Sequence, residues 1–256
     1  MIKRDNYAKD KCKIFYANLS GINTSKQKLE FLVISKFSEI RFEHITPDKN
    51  FNWINQSDND FDSLLPLVDK DVKAGKAEEA VFKLFSRGVA TQRDEWVYDL
   101  SEESLVNKMK FFVEIYQSQF DKQPEAKLSQ QIKWDEDLKS YFKRKIQKQF
   151  DKTSIKPSLY RPFCKQNLYF DKHFNGRTYQ WFNIYNQNDI NYYLSLPGVG
   201  ASKPFQCLGT NKITCLDFLE KTQCLPLYRY DKEGNRIDNI TDWGLKQIQT
   251  HYQDET

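Results

Sequence analysis

The chain is poor in the residues from which most catalytic and metal centres are built. Histidine occurs three times in 256 residues, at His44, His173 and His251, and none lies at ligand spacing from a cysteine or another histidine. A zinc site is therefore not expected. The five cysteines, Cys12, Cys164, Cys207, Cys215 and Cys224, are odd in number and form no C-x-x-C pair. That usage fits reduced core thiols in a cytoplasm rather than a disulfide framework. No Gly-x-Ser-x-Gly elbow is present, which argues against a hydrolase triad. No two of the eight prolines adjoin, so the Asn/Asp-Pro-Pro-aromatic motif of adenine aminomethyltransferases is missing. The Walker A sequence of a nucleotide-driven motor is missing as well. No apolar run approaches the ~20 residues of a membrane span. The charged start Met1-Ile2-Lys3-Arg4-Asp5 is followed by no apolar signal core. A cytoplasmic protein without membrane contact is expected.

An excess of one charge is also lacking. Against 39 Lys and Arg stand 35 Asp and Glu, a net charge of +4. A protein that coats nucleic acid over its whole surface is more basic than this, so any such face must be local. What is plentiful is aromatic side chain: 19 Phe, 14 Tyr and 5 Trp.

Along the chain, Lys13 to Ala17 reads as a strand. A helix capped by Asn23, Thr24 or Ser25 follows, with Leu29, Leu32, Val33, Phe37 and Ile40 on one stripe. Pro47, Pro66 and dense Asn and Asp from Thr46 to Asp71 break the pattern, which puts a boundary near Asp60. Ser101 with Glu102 and Glu103 signals a helix start, because acids there complement the helix dipole. Leu105, Met109, Phe112, Val113, Tyr116 and Phe120 continue it as a helical stripe. A second helix is predicted from Trp134 to Phe150, with Trp134, Leu138, Phe142, Ile146 and Phe150 on its apolar line. Its basic face, Lys139, Lys143, Arg144, Lys145 and Lys148, suits either solvent or a phosphate backbone. After Pro157 short aromatic runs between Asn, Gly and Pro read as strands. The expected class is α+β, a helical first half with a mixed, mostly antiparallel, β-rich second half.

Four segments carry chemistry. Phe85 to Asp94 sets Ser86, Arg87, Thr91, Gln92 and Arg93 around Gly88, a residue that lets backbone approach a ligand. Arg reads guanine and Gln reads adenine through paired hydrogen bonds. The same segment equally fits a polar turn whose arginines pair with Asp94 and Glu95. Tyr160-Arg161-Pro162-Phe163 with Lys165 and Gln166 mixes base-reading side chains with aromatics that suit a core. Gly198-Val199-Gly200-Ala201-Ser202-Lys203 lacks the third glycine of a dinucleotide fingerprint and the Walker spacing. It reads as a tight turn whose amides could meet a phosphate. Pro47-Asp48 with Asp71-Val72-Lys73 matches a loose metal-dependent nuclease pattern, two acids on a metal and a lysine near its water.

Together, Trp53-Ile54-Asn55-Gln56 with Asp60-Phe61, Ser86 through Tyr98, Tyr160 through Phe163, Leu168 through Asp171, Gly198 through Lys203 and Cys224 through Tyr228 resemble the C-terminal region of type ISP restriction–modification enzymes. The runs occur in that family's order from about Ile14 onward. The resemblance implies a trailing edge of a methyltransferase-type domain and linker over 1–60, then a target-recognition domain over 61–256. The expected partner is double-stranded DNA, with Arg87, Gln92, Arg93, Arg161, Lys165 and Lys203 as contacts and no catalytic residue. Recognition would direct adenine-N6 methylation and cleavage by methyltransferase and translocase domains of the same enzyme or of a split subunit. S-adenosylmethionine, ATP and Mg2+ would belong to those regions, and no cofactor is expected here. The family's catalytic motifs are absent, and the chain stops soon after Thr241-Asp242-Trp243, so an incomplete recognition domain is expected. The alternatives are a small metal-dependent nuclease using Asp48, Asp71 and Lys73, or an inert remnant or an interaction module that only binds another subunit.

Overall fold

The computed structural model describes residues 13–19, 21–48, 51–54, 63–121 and 127–252. Cys12, Asn55-Gln56, Asp60-Phe61 and the expected boundary near Asp60 lie outside the described residues. The chain divides into one unit over Met1–Leu64 and a second over Leu65–Thr256. In the first, β1 (Ile14–Tyr16) precedes α1 (Ser25–Ile34) and pairs antiparallel with β2 (Glu43–Ile45). Thr24 caps α1 in a reciprocal box with Gln27. The helix ends at Ile34, so Phe37 falls in a short 3-10 turn, Phe37–Glu39, and the expected stripe is not one helix. None of the α1 residues is buried.

The second unit runs α2 (Lys70–Lys73), β3 (Ser86–Arg87), α3 (Asp94–Val97), β4 (Tyr98–Asp99), α4 (Glu102–Ser118), α5 (Glu136–Lys143), β5 (Ile155–Arg161), β6 (Cys164–Tyr169) and α6 (Trp181–Ile184). It continues through β7 (Tyr193–Leu196), β8 (Leu208–Thr210), β9 (Ile213–Thr214), β10 (Gln223–Pro226), β11 (Tyr228–Tyr230) and β12 (Arg236–Asp238) to α7 (Asp242–Tyr252). The strands form sheets in the orders β4-β6-β5-β9 and β3-β10-β7-β8, with β11 and β12 as a hairpin. All of these pairs are antiparallel except β5 with β9. The α+β class holds, with helices mainly in the first half and strands mainly in the second.

Helix α4 follows its sequence signals closely. The Ser101 hydroxyl accepts the Ser104 amide, and Leu105, Met109, Phe112, Val113 and Tyr116 are all buried. They form the core with Leu168, Tyr169, Phe174 and Trp181. Each such side chain contributes roughly 1.5–3 kcal/mol on leaving water.

Helix α5 departs from expectation. It is capped by Asp135, whose carboxylate accepts the Leu138 amide, but it stops at Lys143 instead of running to Phe150. Lys145 takes a left-handed φ of 56°. The Ile146 amide reaches back to the Tyr141 carbonyl and the Lys145 amide to that of Phe142. These two bonds are a Schellman closure, in which glycine is the usual residue at the left-handed place. Ile146 and Phe150 still serve the same side of the fold. The Ile146 carbonyl accepts the Tyr116 hydroxyl at 2.6 Å, and Phe150 stacks on Tyr169.

Asp135 also holds Arg93. That guanidinium has no exposed surface. It pairs with the Asp135 carboxylate, donates to the Phe174 carbonyl at 3.0 Å and lies 5.7 Å from the Phe112 ring centre. Burial pulls its pKa down, and Asp135 opposes that pull. Breaking a buried pair from one side leaves a charge uncompensated. Arg93→Ala should therefore lower unfolding stability by about 3–5 kcal/mol in a urea titration. Adding Asp135→Asn, which keeps the cap and removes the charge, should restore part of that loss. An Arg93→Ala midpoint equal to the wild type would show that the pair does not hold the fold.

Candidate nucleic-acid interface

The β5–β6 hairpin turns through Pro162 and Phe163, because Arg161 already pairs with Cys164. Phe163 has a φ of 62°. A proline followed by a left-handed residue is the pattern of a type II turn, which favours glycine where phenylalanine stands. The left-handed conformation costs a residue with Cβ about 1–2 kcal/mol. Below the turn Arg161 is fixed. Its guanidinium donates to the Tyr160 carbonyl at 2.7 Å, contacts the Cys215 sulfur at 3.4 Å and lies 4.1 Å over the Tyr160 ring. The Tyr160 hydroxyl donates to Asp94 at 3.0 Å, and Asp94 also takes the Thr91 hydroxyl. Lys165 pairs across the hairpin with Leu159 and is exposed.

The segment from Cys215 to Thr222 joins this hairpin to the other candidate loops. The Cys215 amide donates to Leu159, the Leu216 amide to Val89, and Thr222 accepts from the Gly88 amide. Glu220 accepts the Gly198 amide at its carbonyl. Gly88 and Gly198 are glycine because this segment presses on them. A Cβ on Gly88 would stand 2.3 Å from the Cys215 oxygen, and one on Gly198 2.0 Å from the Lys221 oxygen. The close approach expected of Gly88 toward a ligand is thus taken by the chain's own backbone. Glu220 and Lys221 hold φ values of 67° and 52° in succession, with no glycine to signal it.

The amides of the Gly198–Lys203 turn are likewise engaged from within. The Glu220 carboxylate accepts from the Ser202 amide and hydroxyl and from the Lys203 amide. The Ser202 amide above all holds that carboxyl below its usual range. The phosphate position expected at these amides is occupied by Glu220, and Lys203 is exposed. Arg87 is exposed and lines a groove of about 860 Å3 with Lys70, Tyr179, Gln180, Val199 and Gln223. Gln92, at a φ of 60°, lies exposed over Gly176, where a Cβ would stand 2.7 Å from its side chain.

Six sequence candidates therefore divide. Among the described residues no ion pair engages Arg87, Arg161, Lys165 or Lys203. Arg93 leaves the set. It is fully buried, and its carboxylate partner is Asp135, not the neighbouring Asp94 or Glu95. The candidate nuclease trio is drawn from both units. Asp48 falls in the first unit, Asp71 and Lys73 in the second. Asp71 lies exposed in a four-residue helix, and the Lys73 ammonium donates to the Phe85 carbonyl and sits over its ring. The described residues hold no group of three or more His, Cys, Asp and Glu placed to bind a metal. Of the thiols, Cys215 and Cys224 are core residues whose pKa values burial raises, that of Cys224 to about 11, whereas Cys207 is exposed. The described helices include none long and apolar enough to cross a membrane.

A family model described as the type ISP C-terminal specificity domain matches residues 80–256. The chain is similar to part of DrdV in its cryo-EM complex with DNA, at 40% identity and a TM-score of 0.75 over 94% of this chain and 25% of that one. It is similar to the ATP-dependent type ISP restriction–modification enzyme LlaBIII bound to DNA, at 26% identity and a TM-score of 0.68 over 82% of this chain and 14% of that one. A nuclease-deletion mutant of the type ISP enzyme LlaGI, in complex with a DNA substrate mimic, shares the fold at 24% identity and a TM-score of 0.68, over 90% of this chain and 19% of that one. The chain spans a quarter or less of the length of these structures. No curated protein matches it.

If Gly88 is needed to bring Cys215 against its strand, Gly88→Ala must push backbone apart. The expected loss is about 1–3 kcal/mol of stability, as for overpacked sites. Gly209→Ala, where a Cβ meets nothing within 4 Å, should leave the urea midpoint within experimental error. Equal midpoints for both variants would contradict the packing described.

Proposed function

Because the chain belongs to the type ISP C-terminal specificity domain family, we propose that it reads sequence in double-stranded DNA through Arg87, Gln92, Arg161, Lys165 and Lys203. The observation that carries the reading is the separation of the cations. One arginine is buried in an ion pair, while four exposed or half-buried cations without carboxylate partners among the described residues border loops tied to the Cys215–Thr222 segment. Free cations attract phosphate and release its counterions. Arg and Gln that are fixed at their bases can then discriminate base edges. The mild net charge of +4 fits a small local footprint. The DNA in the DrdV and LlaBIII complexes supports the same reading.

The family suggests a finer role. Recognition here would select the site at which a partner methyltransferase modifies adenine at N6 and a nuclease cleaves. The catalytic groups, with S-adenosylmethionine, ATP and Mg2+, would belong to other regions of such an enzyme or to a partner subunit. The first unit would be the trailing part of a methyltransferase-type domain. Its helix α1 buries none of its residues, as expected of a surface that another domain covers.

A binding titration on a random-sequence duplex library at two salt concentrations tests the reading. Gln92→Ala and Arg87→Ala should relax the selected sequence, each by about 1–3 kcal/mol at one base pair. Lys203→Ala should weaken all sequences alike and reduce the salt slope by about one. Variants that keep the wild-type affinity and sequence preference would remove these residues from the interface. A wild-type chain that binds no duplex would favour the inert remnant.

A further inference from the structure

We propose that Phe163 is a wedge, whose ring enters the base stack of a bound duplex and kinks it while Arg161 and Lys165 hold the adjoining phosphates. The inference rests on the DNA-recognition reading above. Phe163 is 96% exposed, so its ring has almost no partner in the free chain. It stands at the third place of a tight turn, at a φ of 62° that glycine would adopt without strain. A residue that buries nothing and strains its own backbone contributes nothing to this fold. Strain of that kind, where no local closure uses it, clusters at ligand and switch sites.

The surroundings select the ligand. The ring's chain neighbours are Arg161, Pro162, Cys164 and Lys165, so the one ring of the turn is flanked in sequence by two cations. A protein-docking face needs a contiguous apolar patch. A single ring flanked by cations matches the insertion of Phe, Leu or Met between base steps, with the kinked backbone drawn onto Lys and Arg. The base of the turn is anchored. Arg161 is held by the Tyr160 carbonyl and by Cys215, and the Tyr160 hydroxyl is held by Asp94. The backbone that carries the ring is therefore already placed, and little of it remains to be ordered at the moment of binding.

The test uses the full chain and a duplex that the wild type selects from a random library. The duplex carries 2-aminopurine at successive positions, or a donor and acceptor dye at its ends. The wild type should brighten 2-aminopurine at one step and shorten the end-to-end distance, and Phe163→Leu should do the same. Phe163→Gly should lose both signals and bind about tenfold more weakly, the order of one lost base–aromatic contact, with a thermal midpoint unchanged or raised. If Phe163→Gly binds, kinks and unstacks as the wild type does, the wedge is wrong and the recognition reading stands. A lowered midpoint for Phe163→Gly also overturns the wedge, because the ring would then be packed in the free chain. If the wild type binds no duplex, both readings fall together.

Discussion

The buried pair between Arg93 and Asp135 is the contact on which the rest of the second unit depends. It joins four pieces of chain that are far apart in sequence: the start of α3, the cap of α5, the carbonyl of Phe174 and the ring of Phe112 on α4. A buried charge is tolerated only with a partner in place, so these pieces have one arrangement. That arrangement sets the neighbours of Arg93. Thr91 and Asp94 are bonded to one another, Asp94 holds Tyr160, and Tyr160 carries Arg161. A fully buried arginine thus fixes the position of a half-exposed one.

The second constraint is backbone against backbone. The Cys215–Thr222 segment presses on Gly88 and Gly198 at distances no side chain would allow. Three loops from different strands are bound to it by main-chain hydrogen bonds. Such bonds do not depend on side-chain type, so the side chains at the loop tips are free to differ without loss of the frame. Glu220 illustrates the economy of the arrangement. Its carboxylate satisfies the amides of the Gly198–Lys203 turn, and the turn keeps its shape without an external anion.

The parts legible in the sequence were those decided locally. Helix α4 announces itself by its cap, its acidic first turn and a stripe of buried residues, and all three are where the pattern puts them. The end of α5 was hidden because lysine, not glycine, takes the left-handed closing position, while Ile146 and Phe150 continue the apolar period by chance of spacing. Strands β3 and β4, two residues each, are too short for alternation to show. The candidate surface was legible as a set of segments but not residue by residue. Arg87 and Arg93 share one polar run, and only the distant Asp135 decides which of them is buried. The pressure on Gly88 and the role of Glu220 are set by the chain's later course, with no local mark.

On the proposed reading, one surface organised by the Cys215–Thr222 segment meets DNA. Amide hydrogen exchange of the full chain, with and without a selected duplex, tests it most directly. Slower exchange should appear in the segments around Arg87 to Gln92, Arg161 to Lys165, Gly198 to Lys203 and Cys215 to Thr222, with α7 unaffected. Saturating DNA that leaves these segments unchanged, or that protects only α7 or the first unit, would contradict the account.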